Sequence, residues 1–361
     1  MDLNPLFKMK KRIFYLDVVR ALAMTMVILL HSVADYFNRS SAYSISFYFT
    51  NTLYTISSIG VILFIFISGA IYLNEDKQIS FNKLLRKILK MVIFFVIWSL
   101  IYSLIFEVFF PLSEGKSLNV SQIFITFGKG FYHLWYVYLI IVLYLLTPLF
   151  RLFTKKKYFK IVSLITIGYI FAISIIFLIS RNLTTYNIIN TQFFEIYDYF
   201  YMDIILFLPA LYILGWILSK SEFKKIHYVI YVLGLISLVG MIIGNVYLKN
   251  YGVNSTGYIY TKRDDPLLVI CSLSLFLLVK KIFENYQKES NFSRLITFYS
   301  KHSLGIYALH PMFCLFTYYL LDLGNVNNAF LYVLIAFIVS LSFSTILTYL
   351  FSKIKYVREI V

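Results

Sequence analysis

The chain of 361 residues is 60% hydrophobic and only 14% charged, whereas soluble domains average about 25% charged residues. This composition excludes a soluble globular protein and indicates an integral membrane protein. The net charge of +16 does not indicate nucleic acid binding, because the basic residues form short runs between apolar stretches, as topology signals do. We therefore expect the lipid bilayer, and no nucleic acid, as a partner of the chain.

Ten apolar stretches are long enough to cross a bilayer, which takes roughly 20 helical residues each. The sequence therefore predicts an all-α polytopic membrane protein with a single transmembrane domain over residues 1–361. No small-residue cleavage site follows the basic N-terminal residues, so we expect the first stretch to remain as an anchor. The predicted spans lie near 13–34, 49–73, 88–110, 133–153, 159–180, 201–219, 227–247, 265–283, 301–321 and 329–352.

The distribution of basic residues predicts the orientation of these spans. If the N-terminus is cytoplasmic, the N-terminal segment, the even-numbered loops and the C-terminal segment hold 25 of the 33 lysines and arginines. The odd-numbered loops hold only seven, and Arg20 lies inside the first span. Because cytoplasmic loops are enriched in Lys and Arg, this asymmetry predicts that both termini are cytoplasmic.

The first span, Leu16–Ser32, contains three polar residues in an otherwise apolar helix. Arg20 and His31 are eleven positions apart and fall within about 20° of one helix face, and Asp17 lies roughly 40° from His31. Arg20 would lie toward the cytoplasm and His31 past the midplane, about 16 Å apart along the axis. This layout suits a long anionic cofactor with its charged head at Arg20 and its reactive end at His31. The alternative is an Asp17–Arg20 pair that caps the helix, together with a hydrogen-bonded structural histidine.

Two further segments on the cytoplasmic side are candidates for a binding site. The pair Ser68-Gly69 near the inner end of the second span would let a ligand or another helix approach closely, and close helix packing is the alternative. The loop after it is basic, which the topology alone explains, although such a cluster also binds phosphates. Its basic residues are Lys83, Arg86, Lys87 and Lys90.

The remaining candidates lie farther along the chain. His133 and Trp135 start the fourth span on the side of His31, where an interfacial aromatic belt is the alternative explanation. His310-Pro311 lies in the middle of the ninth span, where proline kinks a helix. No carboxylate or cysteine stands at ligand spacing from these histidines, so we predict no metal site.

Five of these motifs, in this order and at these topological positions, resemble the acyltransferase-3 family of integral membrane proteins. The resemblance extends over the whole chain, and the ten predicted spans equal the family core. The motifs are Leu16-Asp17 with Arg20 and His31, FIFISG ending at Gly69, the basic loop with Arg86, His133–Pro148, and Ser303–Pro311.

The resemblance implies transfer of an acyl group, commonly acetyl from cytoplasmic acetyl-CoA, to a hydroxyl of an extracytoplasmic glycan or its lipid-linked precursor. It makes His31 the leading catalytic residue and Arg20 its essential partner, and we expect Asp17 to orient Arg20. Imidazole suits a general base near neutral pH. His133 and Trp135 match a motif near the acceptor side of the family.

The resemblance also assigns the acetyl-CoA site, although the loop after the second span lacks the proline that often follows the family's arginines. Arg86 matches a basic position that meets the CoA phosphates, and we add Lys87, Ser68 and Gly69 as neighbouring cofactor-binding residues. Many relatives carry a C-terminal esterase-like domain, and the sequence lacks one after its tenth span. We therefore expect a stand-alone enzyme of the bacterial plasma membrane that modifies a membrane-proximal glycan and has glycan-biosynthesis membrane proteins as candidate partners.

A polysaccharide exporter or flippase is the alternative, because ten helices with a basic inner face and aromatic outer loops fit that class too. Dependence on acyl-CoA separates the two, since an exporter needs no histidine that reacts with a thioester.

Overall fold

The computed structural model describes residues 13–76, 79–113, 115–185, 206–251, 259–355 and 357–359, and these form helices with no strand among them. Nine helical segments within this part of the chain are long and apolar enough to cross a membrane, which confirms the all-α polytopic prediction. The α-helices are α1 (Phe14–Arg39), α2 (Ile45–Ser57), α3 (Ile59–Tyr72), α4 (Phe81–Leu104), α5 (Phe110–Ser113), α6 (Val120–Lys129), α7 (Trp135–Phe153), α8 (Phe159–Thr185), α9 (Leu208–Lys220), α10 (Ile226–Asn250), α11 (Pro266–Phe283), α12 (Asn291–Lys301), α13 (Ser303–Leu323) and α14 (Ala329–Ser352).

The nine segments correspond to nine of the ten predicted spans, and the sixth predicted span corresponds to α9. Helices α2 and α3 together form the second span, and a π-helical turn at Ile105–Phe109 joins α4 to α5 in the third. Within the described residues α9 has only 13 residues, and the first five residues of the predicted span, 201–205, lie outside them. Helices α6 and α12 are short amphipathic helices between the spans.

Burial separates a central group of helices from a peripheral one. In the most apolar windows of α1 and of the α2–α3 segment, 61% and 67% of the residues are buried, against 22% in the windows of α8 and α10. Peripheral helices expose rows of leucine, isoleucine and phenylalanine, as expected for surfaces that contact lipid tails. The polar helix α1 therefore lies inside the bundle, shielded from lipid. A helix that carries charged side chains has to lie there, because such side chains are costly in contact with lipid tails.

Close backbone contacts hold α3 between α1 and α9. A Cβ atom added to Gly60 would lie 2.8 Å from the carbonyl oxygen of Ala23 in α1. One added to Gly69 would lie 1.8 Å from the carbonyl oxygen of Tyr212 in α9, and one added to Gly215 would lie 2.2 Å from that of Phe66. Glycine is therefore needed at these contacts, and α9 is almost fully buried as a result.

Lys280 of α11 stabilises the C-terminal end of α9. Its Nζ donates hydrogen bonds to the carbonyl oxygens of Leu218 (3.3 Å), Ser219 (2.8 Å) and Ser221 (2.6 Å). These are carbonyls that a helix end leaves without intrahelical partners, and a cation there also favours the helix dipole. Lys280 is 4% exposed and forms an ion pair with Glu284 at 3.5 Å.

We predict that Lys280→Met destabilises the protein by about 1.5–3 kcal/mol, because the terminal carbonyls of α9 lose a charged donor. Thermal unfolding of the purified protein in nanodiscs measures this effect. Lys288→Met, at an exposed position, is the control and should leave the melting temperature unchanged. Equal melting temperatures for the two variants would contradict the role of Lys280.

We also predict that Gly69→Ala destabilises the protein by about 1–3 kcal/mol or more, because its methyl group would overlap the backbone of Tyr212. Gly168→Ala is the matched control in a membrane helix, since a Cβ added there has nothing within 4 Å. Both variants are compared by thermal unfolding. A Gly69→Ala protein that melts with the wild type would refute the packing role.

Candidate active site

A cavity of about 240 Å³ lies between α1, α3, α4, α7 and α13. Five of the nine site residues predicted from the sequence line it, and they come from three different helices. These are Arg20 and His31 of α1, Ser68 of α3, and His133 and Trp135 at the start of α7. The cavity therefore borders both Arg20 and His31, which the sequence places toward opposite ends of the first span, and adds residues from α3 and the start of α7 to them.

Helix α1 sets the length of the cavity. Arg20 and His31 line its two ends and are eleven residues apart on one continuous helix, which is about 16 Å along the axis. The wall between them is largely apolar, with Val27 on α1 and Phe64 on α3. The cavity thus has a cation at one end and an imidazole at the other.

At the first end, Arg20 belongs to a three-residue network. Its Nη1 donates to Ser300 Oγ (3.0 Å) and lies 3.5 Å from Asp17 Oδ1, and Ser300 Oγ donates to the same Asp17 oxygen (2.7 Å). The Asp17 side chain is only 4% exposed, whereas that of Arg20 is 25% exposed because it reaches the cavity. Ser300 lies on α12, 280 residues away, and the sequence contained no signal that pointed to it.

Tyr72, the last residue of α3, lines the cavity and binds two neighbouring side chains. Lys87 Nζ donates to Tyr72 Oη (2.6 Å) and lies 4.5 Å from the centre of its ring, and Tyr144 Oη donates to the same oxygen (3.0 Å). Arg86, one position earlier on α4, is exposed and is not among the residues that line the cavity. Of the two predicted phosphate-binding residues, Lys87 is therefore the one that the structure connects to the cavity wall.

Ser68 and Gly69 face different neighbours although they are adjacent. Ser68 lines the cavity and donates to the carbonyl of Phe64 (3.0 Å). Gly69 does not line the cavity, because its Cα faces the backbone of α9 at Tyr212. The structure thus gives Gly69 the close-packing role that the sequence analysis named as its alternative.

At the second end, three histidines from α1, α13 and the turn before α7 lie side by side. The His31 ring is 5.2 Å from that of His310, and the His133 ring is 5.9 Å from that of His310, measured between ring centres. Tyr318 Oη donates to the backbone carbonyl of His31, and Tyr307 Oη donates to that of His133. The sequence indicates His310 only as part of a helix kink, although its mid-membrane position is itself a signal of function.

The ring nitrogens of this cluster are poorly satisfied within the part of the chain that the structure describes. His310 Nδ1 lies 3.1 Å from the carbonyl oxygen of Ile306, so it carries the proton and leaves Nε2 as an acceptor without a partner. Both ring nitrogens of His133 also lack a hydrogen-bond partner, although the residue is only 2% exposed. Because unsatisfied polar groups are costly in a membrane interior, these atoms indicate a functional site.

Trp135 marks the edge of the cavity near the histidines. Its indole ring lies 4.0 Å below the guanidinium carbon of Arg263, in the segment before α11, and packs edge-on against Tyr136 at 6.0 Å. A cation over an aromatic face is an attractive contact worth about 0.5–2 kcal/mol. The indole is therefore fixed in place as part of the cavity wall.

No group of three or more His, Cys, Asp or Glu suited to a metal ion occurs within the described ranges. The donor types at the two ends instead suit an anion at Arg20 and proton or acyl transfer at His31.

A family model described as an acyltransferase domain matches residues 13–349. Comparison with curated proteins and with solved structures finds no match. The matched range includes both ends of the cavity, all three clustered histidines, nine of the ten helical segments in full and the tenth, α14, except its last three residues. The chain is therefore a membrane acyltransferase that belongs to the acyltransferase-3 family.

Proposed function

We propose that the protein moves an acyl group, most simply acetyl, from cytoplasmic acyl-CoA to a hydroxyl of a glycan, or of its lipid-linked precursor, at the outer face of the bacterial plasma membrane. The observation that carries this proposal is the cavity that connects Arg20 to His31 through the bundle. The excess of basic residues in alternate loops supports the direction, with both termini and the Arg20 end cytoplasmic.

Acetyl-CoA, the co-substrate, would enter at the end where the cations are. Arg20 lines the cavity, Lys87 donates to the wall residue Tyr72, and Arg86 on the exposed surface of α4 adds positive charge nearby. Phosphate groups bind such donors through charge-assisted hydrogen bonds. The pantetheine arm would then follow the largely apolar wall and bring the thioester toward His31.

His31 would act at the thioester in one of two ways. As a general base it takes the proton of the acceptor hydroxyl while the hydroxyl oxygen attacks the thioester carbonyl. The C–S bond breaks, and the CoA thiolate leaves and receives the proton. As a nucleophile, a ring nitrogen of His31 first takes the acyl group and releases the thiolate. The hydroxyl then attacks the acyl-imidazole, the C–N bond to His31 breaks, and the hydroxyl proton goes to the thiolate.

The acceptor hydroxyl would approach from the end at which His133 and Trp135 line the cavity. An aromatic ring such as that of Trp135 offers an apolar face to a sugar ring, and the unpartnered ring nitrogens of His133 offer hydrogen bonds. Glycan-biosynthesis membrane proteins that supply such an acceptor are the partners we expect.

We predict that His31→Ala abolishes acyl transfer, with a loss of at least about 100-fold, because either route loses its reacting imidazole. The measurement is alkali-released acetate from surface glycans of a deletion strain complemented with each variant at equal membrane levels. His227→Ala is the control, because His227 lies on α10 with its ring bonded to the Lys224 backbone and does not line the cavity. Normal acetate with His31→Ala would refute the proposal, and glycan retained inside the deletion strain would favour export.

We predict that Ser300→Ala weakens donor binding about tenfold, because Arg20 loses a hydrogen bond worth about 1–1.5 kcal/mol that fixes its side chain. Steady-state release of free thiol from acetyl-CoA by the protein in nanodiscs should show a raised KM with kcat within twofold. Ser300→Thr, which keeps the hydroxyl, should restore the KM. A fall in kcat with an unchanged KM would place Arg20 in the chemical step and contradict a donor-binding role.

A further inference from the structure

A second cavity, of about 220 Å³, lies beyond the His31 end of α1 and has a polar wall. It forms where α1 ends, where the chain turns into α2, and where the loop between α13 and α14 approaches. No residue lines both this cavity and the one at His31 within the described ranges. Its polar wall includes Tyr36, Arg39, Ser40, Ser44, Ser46 and Asn327.

Arg39 is held in one orientation on this wall. Its Nη1 donates to Asp322 Oδ1 (2.8 Å), and its Nη2 lies 3.1 Å from Asp35 Oδ2. The guanidinium carbon also lies 4.8 Å from the ring centre of Tyr36 and 4.5 Å from that of Tyr332. A half-exposed arginine fixed by four side chains is preorganised, so a ligand that binds it pays little ordering entropy.

The hydrogen-bonding character of the wall favours a ligand rich in hydroxyl donors. Ser40 Oγ donates to the carbonyl of Tyr36 (2.6 Å), and Ser44 Oγ donates to that of Ser41 (2.7 Å) and accepts from the Phe47 N–H (3.0 Å), so each oxygen keeps lone-pair capacity but no proton for a ligand. The carboxylates of Asp35 and Asp322 bind Arg39 from outside the cavity wall. Two carboxylates beside one guanidinium also disfavour an anionic ligand.

A chain of side-chain contacts connects the second cavity to His31. Arg39 is eight residues beyond His31 on the same helix, about 12 Å along the axis. Tyr318 donates to the backbone carbonyl of His31, and its ring stacks on that of Tyr332 with centres 5.6 Å apart. Tyr332 in turn contacts Arg39 and donates to Asp35 (3.0 Å).

We propose that this second cavity binds an uncharged, hydroxyl-rich sugar unit of the acceptor glycan and holds it while a hydroxyl of another unit reaches His31. Tyr36 offers its aromatic ring, Arg39 offers donors, and the serine oxygens accept from sugar hydroxyls. That the bound sugar is part of the acceptor rests on the proposed function. The binding itself is measured without any acyl transfer.

The test measures binding of three uncharged probes, maltotriose, cellotriose and chitotriose, to the protein in nanodiscs by saturation-transfer difference NMR. We expect at least one to bind the wild type, and its affinity to fall at least tenfold in Ser46→Leu, which fills the cavity from α2. Ser41→Leu, on the connecting segment, is a second variant with the same expectation. Ser121→Leu, an exposed serine on α6, is the matched control and should bind like the wild type.

Three outcomes would overturn the inference: no binding of any uncharged probe, equal binding by the wild type and both filled variants, or tighter binding of trigalacturonate than of all three uncharged probes. The proposed function is judged separately, by transfer of labelled acetate from acetyl-CoA. If the wild type binds a probe that Ser46→Leu does not bind, and the wild type transfers no labelled acetate, the proposed acyl transfer is refuted and the sugar site is retained.

Discussion

The structure depends on the burial of charge in its first helix. A charged side chain at the centre of a membrane helix costs about 2.5–3.5 kcal/mol on insertion scales, unless protein groups or water replace lipid around it. Asp17 and Arg20 meet this requirement together, and Ser300 of α12 completes the network by bonding to both. Helix α1 must therefore lie inside the bundle, and the C-terminal part of the chain must fold back over its first turns.

The glycine contacts determine which face of α3 borders the cavity. Gly60 and Gly69 bring α3 so close to α1 and α9 that backbone meets backbone, and the two glycines lie about 180° apart on the helix. Phe64 and Ser68 lie between these contacts, about 40° and 80° from Gly60 around the helix, and both line the cavity together with residues of α7. Small residues on two faces of a helix thus leave the face between them for the space that a substrate can occupy.

Much of the fold could be predicted from the sequence, because length and hydropathy define a membrane helix almost alone. The described helices fall on all ten predicted spans, and α9 covers the described part of the sixth. The pairing of Arg20 with His31 on one face followed from helical periodicity along a single element.

The parts of the site that the sequence did not predict all depend on contacts between distant elements. Ser300 is one of many serines, and nothing in its local sequence distinguishes it from a helix-capping residue. Gly69 and Ser68 were predicted as a unit, although the 100° between neighbours on a helix sends one to α9 and the other to the cavity. His310 joined the cluster only because α13 packs against both α1 and the start of α7.

The residues of the histidine cluster determine which groups near His31 can accept a proton. No carboxylate lines the cavity within the described residues, so His31 has no acidic partner of the kind that orients histidine in a hydrolytic triad. A lone positive charge there would lack a counter-ion in a low-dielectric region. Two neighbouring imidazoles with acceptor nitrogens, on His133 and His310, instead offer places to which a proton can be passed without creating a carboxylic acid. Such a cluster suits a reaction in which one proton leaves a hydroxyl and one reaches a thiolate, with no net change in the charge of the site.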